Sequence, residues 1–236
     1  EFMIYITGDT HGDLSRFDNP LVKKLKSGDN LIICGDFGFI WEGNEKEYRI
    51  LNSLGNHKYN IFFVDGKHEN FDRLEKYEII DAFGSKIRHI SGNLYHMLRG
   101  HIYNIENKKI FTFGGGESHD KDFRIDMGTW WPQEMPNISE MKASVDVLDD
   151  NDRCVDYIIT HEPPAIINKM IDKNHFTINP LEVFFDSMTK EIKFEKWFFG
   201  CTHINRKIAN KYYSIFDDVI PVEEIPHKGF FFKRER

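Results

Sequence analysis

The chain has 236 residues, 31 Lys+Arg against 38 Asp+Glu and a net charge of −7. With 40% hydrophobic and 14% aromatic residues it can bury a large core, which excludes disorder as its main description. The acidic balance excludes a general nucleic-acid binder, which needs a basic face to displace counterions.

In chain order, Glu1 and Phe2 precede the first Met and read as an expression remnant. The segment after Met3 lacks the apolar region of a signal peptide. Met3–Gly8, Asn30–Gly35 and Asn60–Asp65 are short apolar runs that read as buried strands, with helices expected over 19–26 and 43–54. This alternation predicts βαβ units and a largely parallel sheet. Four short runs follow, at 86–90, 94–98, 101–105 and 109–113, and their spacing suggests antiparallel hairpins. Gly114 opens a long irregular stretch to about Asn137, a length that is usually functional. A helix is expected from Ser139 to Leu148 and a strand over Val155–Thr160. Leu181, Phe184, Phe185, Met188 and Ile192 form one apolar helical face, read as core. Lys196–Gly200 is a strand, and shorter strands follow. The tail Phe230–Phe232 with its basic end reads as a last strand and a solvated terminus.

No linker divides the chain, so residues 3–236 read as one domain. No run approaches the roughly 18 apolar residues of a membrane span, so no membrane partner is expected. Cys34, Cys154 and Cys201 are odd in number and far apart, which fits a reducing, cytoplasmic compartment. Oligomeric state is not legible.

The chemistry-bearing residues recur at one kind of place. Asp9-Thr-His11 follows the first strand, Gly35-Asp36 the second and Gly66-Lys-His-Glu69 the third. His161 follows Val155–Thr160, and Gly200-Cys-Thr-His203 follows the strand at Lys196. Ligands bind beyond the carboxyl ends of parallel strands, so five such ends converge on one site. Residues i and i+2 on extended chain point the same way, which lets Asp9 and His11 share an ion, and likewise Cys201 and His203. Mixed imidazole and carboxylate ligands suit Mn, Fe, Zn or Ni. Each glycine is expected to let the chain turn sharply. His57, beyond the helix over 43–54, reads as part of a helix stop.

This ordered set resembles the calcineurin-like metallophosphoesterases, over Met3 to about Arg206, and looks like a small bacterial and phage-type branch. The resemblance implies an α/β fold: two mixed β-sheets packed as a sandwich with helices on the outer faces. It implies a metal centre in which Asp9, His11, Asp36 and His203 hold a first ion. Asp36 would bridge to a second, and His161 would bind that second ion. His68 would protonate the leaving group, and Glu69 would orient its loop. The chain departs from the family pattern at two positions of the second ion: Lys67 replaces Asn, and Cys201 replaces His. Three readings are open. Lys67 replaces part of the second ion's charge, or Cys201 binds as thiolate, or the site binds phosphorylated ligands with weak or no turnover.

The expected function is metal-dependent hydrolysis of phosphoesters, mono- or diester, of small phosphorylated molecules or nucleotides. A metallophosphoesterase-fold binding protein is the alternative, and a nuclease on polynucleotide the third. Substrate choice is expected from the stretch 114–132, through Ser118, His119 and Arg124. Trp130 and Trp131 either stack on a base or anchor this loop on the core.

Overall fold

The apolar runs that begin at Ile4, Asn30, Asn60, Tyr157 and Lys196 form strands covered on both faces, which is why they read as near-continuous hydrophobic stretches. The computed structural model describes residues 2–223, so the reading of Phe230–Phe232 and the basic end lies outside the described residues. The strands are β1 (Ile4–Thr7), β2 (Asn30–Ile33), β3 (Asn60–Phe63), β4 (Ile79–Ala82), β5 (Ser85–Ser91), β6 (Leu94–Met97) and β7 (His101–Ile105). They continue as β8 (Lys108–Phe113), β9 (Tyr157–Thr160), β10 (Lys196–Phe199), β11 (Arg206–Ile208), β12 (Tyr212–Ser214) and β13 (Val219–Pro221). The helices are α1 (Glu45–Gly55), α2 (Phe71–Leu74), α3 (Lys121–Asp126), α4 (Ile138–Asp149), α5 (Ala165–Ile171) and α6 (Pro180–Glu191).

One sheet has seven strands in the order β13-β1-β2-β3-β6-β5-β4, the other six in the order β11-β12-β10-β9-β8-β7. Their central strands are parallel and antiparallel strands close the edges. Period-two alternation then assigns each residue to a layer. Ile6, Ile32 and Phe62 of the first sheet meet Ile110, Tyr157, Ile159 and Phe198 of the second in a central apolar layer. Leu31, Ile33, Ile61 and Phe63 face the other way, against Leu51 and Leu54 of α1 and Phe71 and Leu74 of α2. Phe111, Phe113, Ile158, Trp197 and Phe199 pack against Leu148, Ile167, Leu181, Phe185 and Met188 of α4, α5 and α6. The result is the expected sandwich of two mixed sheets with helices outside.

The apolar face of α6 is core: Phe185 is fully buried, edge-on to Phe113 and Trp197 at 5.8 and 5.6 Å. Its start is set by Asn179 and Glu182 in a reciprocal cap, with Pro180 at the first position. Truncating Phe185 to Ala is expected to cost about 3–5 kcal/mol in urea unfolding.

Three expectations change. The helix over 19–26 is replaced by 3-10 turns at Leu14–Asp18 and Val22–Lys24, because Asn19 precedes Pro20 and is extended at ψ 133. The run of hairpins is broken: β5–β6 and β7–β8 are antiparallel pairs, but β6 lies parallel beside β3 and β7 belongs to the other sheet. The 114–137 stretch contains the short α3 and a 3-10 turn at Pro132–Glu134. The edge strand β4 and helix α5 were not legible. β4 buries no residue, and α5 buries only Ala165 and Ile167. Among the described residues no helix is long and apolar enough to cross a membrane.

Candidate metal centre

Parallel strands end at the same edge, so the residues just beyond β1, β2, β3, β9 and β10 meet there. The backbone is bent to bring them in. His11, Asp36 and His203 sit at φ 47, 42 and 52, the left-handed region that costs a non-glycine residue about 1–3 kcal/mol. Surrounding bonds hold this conformation. The amides of Thr10 and His11 both donate to the Asp36 carbonyl, at 3.2 and 2.8 Å. The Arg16 guanidinium donates to the carbonyls of Gly8 and Asp9 at 3.1 Å each. Two of the motif glycines are needed for space rather than for a turn. A Cβ on Gly66 would lie 2.1 Å from Asp36 Oδ1, and one on Gly200 would lie 2.0 Å from Asp9 Oδ1; neither has positive φ.

The side chains converge. His203 Nε2 lies 3.1 Å from Asp9 Oδ2 and 3.3 Å from His11 Nε2. His11 is 3.7 Å from Asp9 and 3.9 Å from Asp36. His161, fully buried, lies 3.5 Å from Asp9 Oδ1 and 3.6 Å from Asp36 Oδ1. His68 Nδ1 is 2.7 Å from Asp36 Oδ2, and the amides of Lys67 and His68 donate to Asp36 Oδ1 at 2.5 and 2.8 Å. Three groups therefore bring ligand atoms within 4.8 Å of one another: Asp9–His11–His203, His11–Asp36–His68 and Asp9–Asp36–His161. Cys201 belongs to none of them.

This donor set fits a divalent cation. Two ligands about 2.1 Å from one ion stand roughly 3–3.4 Å apart, the spacing of His203 from both Asp9 and His11, with His11 and Asp9 somewhat wider at 3.7 Å. Asp9 Oδ1 and His161 Nε2 are buried with no hydrogen-bond partner, an arrangement that costs stability unless a further group satisfies them. The charge balance agrees. Burial opposes ionisation of Asp36, but His161 and His68 override it and hold the carboxyl far below the usual range. Burial also opposes protonation of His161, yet Asp36 and Asp9 drive it up to about 9. Two carboxylates buried beside His161 thus call for positive charge, which a bound metal ion would supply.

On the side of His161 the chemistry differs. Lys67 is mostly buried with its ammonium 3.8 Å from Glu162 Oε1. Burial acts to lower its pKa, and Cys201, then Glu162, Asp36 and Asp9, act to raise it. Burial pushes the Cys201 thiol well up, which favours the protonated form over a thiolate. Glu69 is buried and accepts from the amides of Phe37 at 2.7 Å and Gly38 at 3.4 Å, tying the Asp36 loop in place. His57 lies just past α1, stacked on Tyr59 at 4.8 Å and away from the centre.

The loop residues divide. Ser118 and Arg124 are buried and bonded to each other and to Glu134, and Arg124 Nη1 donates to the Lys67 carbonyl at 3.1 Å. His119 is exposed on a cavity of about 250 Å³ that also includes Lys67, Glu162 and Cys201. Trp131 packs on the outer core, edge-on to Trp41 at 5.5 Å, and Trp130 carries the Lys121 ammonium 4.5 Å over its ring.

Sequence reasoning missed Glu162, which accepts from the Glu117 amide and Asn179 besides pairing with Lys67; its place directly after His161 was the available signal. It also missed Asp65, just before Gly66, which binds Arg99 at 2.6 Å and His96 at 3.0 Å. Burial opposes ionisation of Asp65, and the Arg99 charge with the His96 bond overrides it, holding the pKa well below 3.8. A depressed carboxyl contributes stability that is complete above its unfolded pKa and lost as pH falls toward the folded one. Asp65→Asn is therefore expected to cost about 3–5 kcal/mol at neutral pH and to flatten the loss of stability below about pH 4, in urea melts across that range.

Among solved structures the chain is similar to the phosphopantetheinyl hydrolase of Mycobacterium tuberculosis, at 15% identity and a TM-score of 0.45, over 92% of this chain and 90% of that one. No curated protein sequence matches it. The family model described as calcineurin-like phosphoesterase matches residues 2–217. With its two mixed sheets and the ligand groups at their shared edge, the chain belongs to the calcineurin-like phosphoesterase family.

Proposed function

We propose that this protein hydrolyses phosphoesters of small phosphorylated molecules or nucleotides, mono- or diester, at a centre built around one divalent transition metal ion such as Mn²⁺. The observation that carries this reading is the pair of buried carboxylates, Asp9 and Asp36, ringed by His11, His161 and His203. A cation held there supplies Lewis-acid polarisation of the phosphoryl group and an activated water. Asp9, His11, Asp36 and His203 would hold the ion. Asp36 also fixes the Lys67–His68 turn by accepting both amides. His68, half-exposed and oriented through Nδ1, is placed to pass a proton to the leaving oxygen. Lys67 adds fixed positive charge on the His161 side, where the phosphoryl oxygens need it. His161 stays beside Asp9 and Asp36 at the second position, and Cys201 lines the substrate cavity as a thiol. Arg124, held by Ser118, acts on the substrate indirectly by donating to the Lys67 carbonyl, and His119 meets the substrate. The three free thiols support a reducing, cytoplasmic setting.

One observation favours the binding-protein reading. The Lys67 ammonium faces Glu162, which offsets part of its charge. Turnover of an aryl phosphate by the Mn²⁺-loaded chain distinguishes the two. His68→Ala is expected to lower kcat by about 10²–10⁴ while bound metal stays constant. Nucleotide binding with no turnover would establish the binding protein instead. Polynucleotide binding that falls steeply with salt would establish the nuclease.

A further inference from the structure

Lys67 carries its charge on a long stem with many rotamers, and holding such a stem in one place costs conformational entropy. Asp36 fixes its backbone amide but leaves the side chain unset. Two contacts settle the rest. The stem passes Gly116, where a Cβ would lie 2.9 Å from Lys67 Cγ and 2.6 Å from Glu162 Oε1, so both side chains as they lie need a glycine there. The ammonium faces Glu162 Oε1 at 3.8 Å, and Glu162 is its only carboxylate partner within ion-pair distance among the described residues. The place of the Lys67 charge therefore depends on the place of the Glu162 carboxylate.

That carboxylate is buried and held from two sides. Oε1 accepts from the Glu117 amide at 2.9 Å, and Oε2 accepts from Asn179 Nδ2 at 2.8 Å. Asn179 is a junction. While Nδ2 donates to Glu162, Oδ1 accepts from the Glu182 amide at 2.9 Å and caps α6. Its neighbours determine which way the amide faces, since a backbone N–H can only donate and a carboxylate can only accept. Glu182 anchors the junction in turn. It accepts from the Asn179 backbone amide at 3.1 Å and from Asn168 at 2.8 Å, with His175 Nε2 at 2.8 Å. Capping alone asks only for one side-chain oxygen, which Ser or Asp supplies as well as Asn. Asn adds a separate NH₂ that is free to reach Glu162 while its oxygen caps.

We propose that Asn179 is a positioning residue of the phosphoester centre: through Glu162 it fixes the Lys67 ammonium where the phosphoryl oxygens need it. Asn179 touches neither substrate nor metal, and acts only by holding Glu162 against the rigid start of α6. This role rests on the proposed function, in which Lys67 supplies fixed charge to a phosphoester.

The test is a double-mutant cycle between Asn179→Asp and Lys67→Met on the full, Mn²⁺-loaded chain. It is read as aryl phosphate kcat and KM and, independently of turnover, as inorganic phosphate affinity by calorimetry. Asn179→Asp keeps the cap on α6 but turns a carboxylate oxygen toward Glu162 in place of the donor. It is expected to lower kcat and phosphate affinity roughly tenfold, the scale of a lost hydrogen bond to a charged group, with metal content and circular dichroism unchanged. Lys67→Met is expected to cost at least as much. The two changes together are expected to cost no more than Lys67→Met alone, because Asn179 then has no charge to place. Asn179→Asp with Glu162→Gln reverses the polarity of the hydrogen bond and is expected to recover most of the loss, which a role in capping alone would not. Asn179→Ser caps α6 without the NH₂ and carries the same expectation if Asn179→Asp does not fold. Wild-type behaviour of both Asn179 variants, or a loss that adds to that of Lys67→Met, would overturn the proposal and leave the phosphoesterase reading standing. Phosphate binding without turnover in the wild-type chain would overturn hydrolysis alone, and the cycle in phosphate affinity then decides the role of Asn179. A wild-type chain that neither turns over nor binds phosphate would overturn both.

Discussion

Asp36→Asn is expected to remove bound metal and to lower turnover by at least about 10³-fold, the scale of losing one preorganised electrostatic contact at a reacting centre. The reason is that Asp36 has three tasks at once. It contributes a ligand atom to two of the three candidate groups, with His11 and His68 and with Asp9 and His161. It anchors the turn that carries His68. It also supplies half of the buried negative charge that makes the site require a cation. An amide keeps the shape but loses the charge, and its NH₂ must face a donor or leave one unpaired, so a stability cost of about 1–3 kcal/mol accompanies the change. Elemental mass spectrometry after Mn²⁺ loading and gel filtration, read with aryl phosphate turnover, checks it. The contrast with His68→Ala is informative: there turnover falls and metal remains. Wild-type metal content and rate in Asp36→Asn would remove Asp36 from the centre altogether.

The second large effect concerns the side of the centre that carries Lys67 and Cys201. The wild-type chain is expected to hold about one ion, because a protonated Lys has no lone pair for a metal and a protonated thiol is a poor ligand. Lys67→Asn together with Cys201→His replaces a cation and a thiol with a carbonyl oxygen and an imidazole, beside the Asp36 and His161 that are already there. The double variant is therefore expected to bind about two ions per chain and to turn over aryl phosphates faster. Either single change is expected to fall short, since each leaves one unsuitable group facing the ion. Unchanged stoichiometry in the double variant would show that something other than these two residues limits the second position. About two ions in the wild-type chain would show that Lys67 is not standing in for one.

Much of the centre was readable because its residues are local in sequence. Asp9 and His11, Gly66 to Glu69, and Cys201 to His203 each follow a buried strand within a few residues, and parallel strands deliver such ends to one edge. The reasoning went astray where geometry depends on a distant partner. The glycines at 66 and 200 were expected to turn the chain, but they make room for Asp36 and Asp9, which come from other strands. Arg124 was expected at the substrate and is turned inward onto Glu134 and the Lys67 carbonyl. Nothing in the spacing of residues 114–137 distinguishes these two directions.

The sequence by itself determined the strand order of motifs, the buried character of β1, β2, β3, β9 and β10, and the core face of α6, because hydrophobic periodicity is a local property of the chain. It also determined which residue types stand at each strand end, and hence that Lys67 and Cys201 depart from the family pattern. Only the tertiary structure decided that β6 pairs with β3 while β7 crosses to the second sheet, that Glu162 faces Lys67, and that Asn179 bonds Glu162. These are relations between residues far apart along the chain, fixed by which surfaces pack together, and no local pattern encodes them.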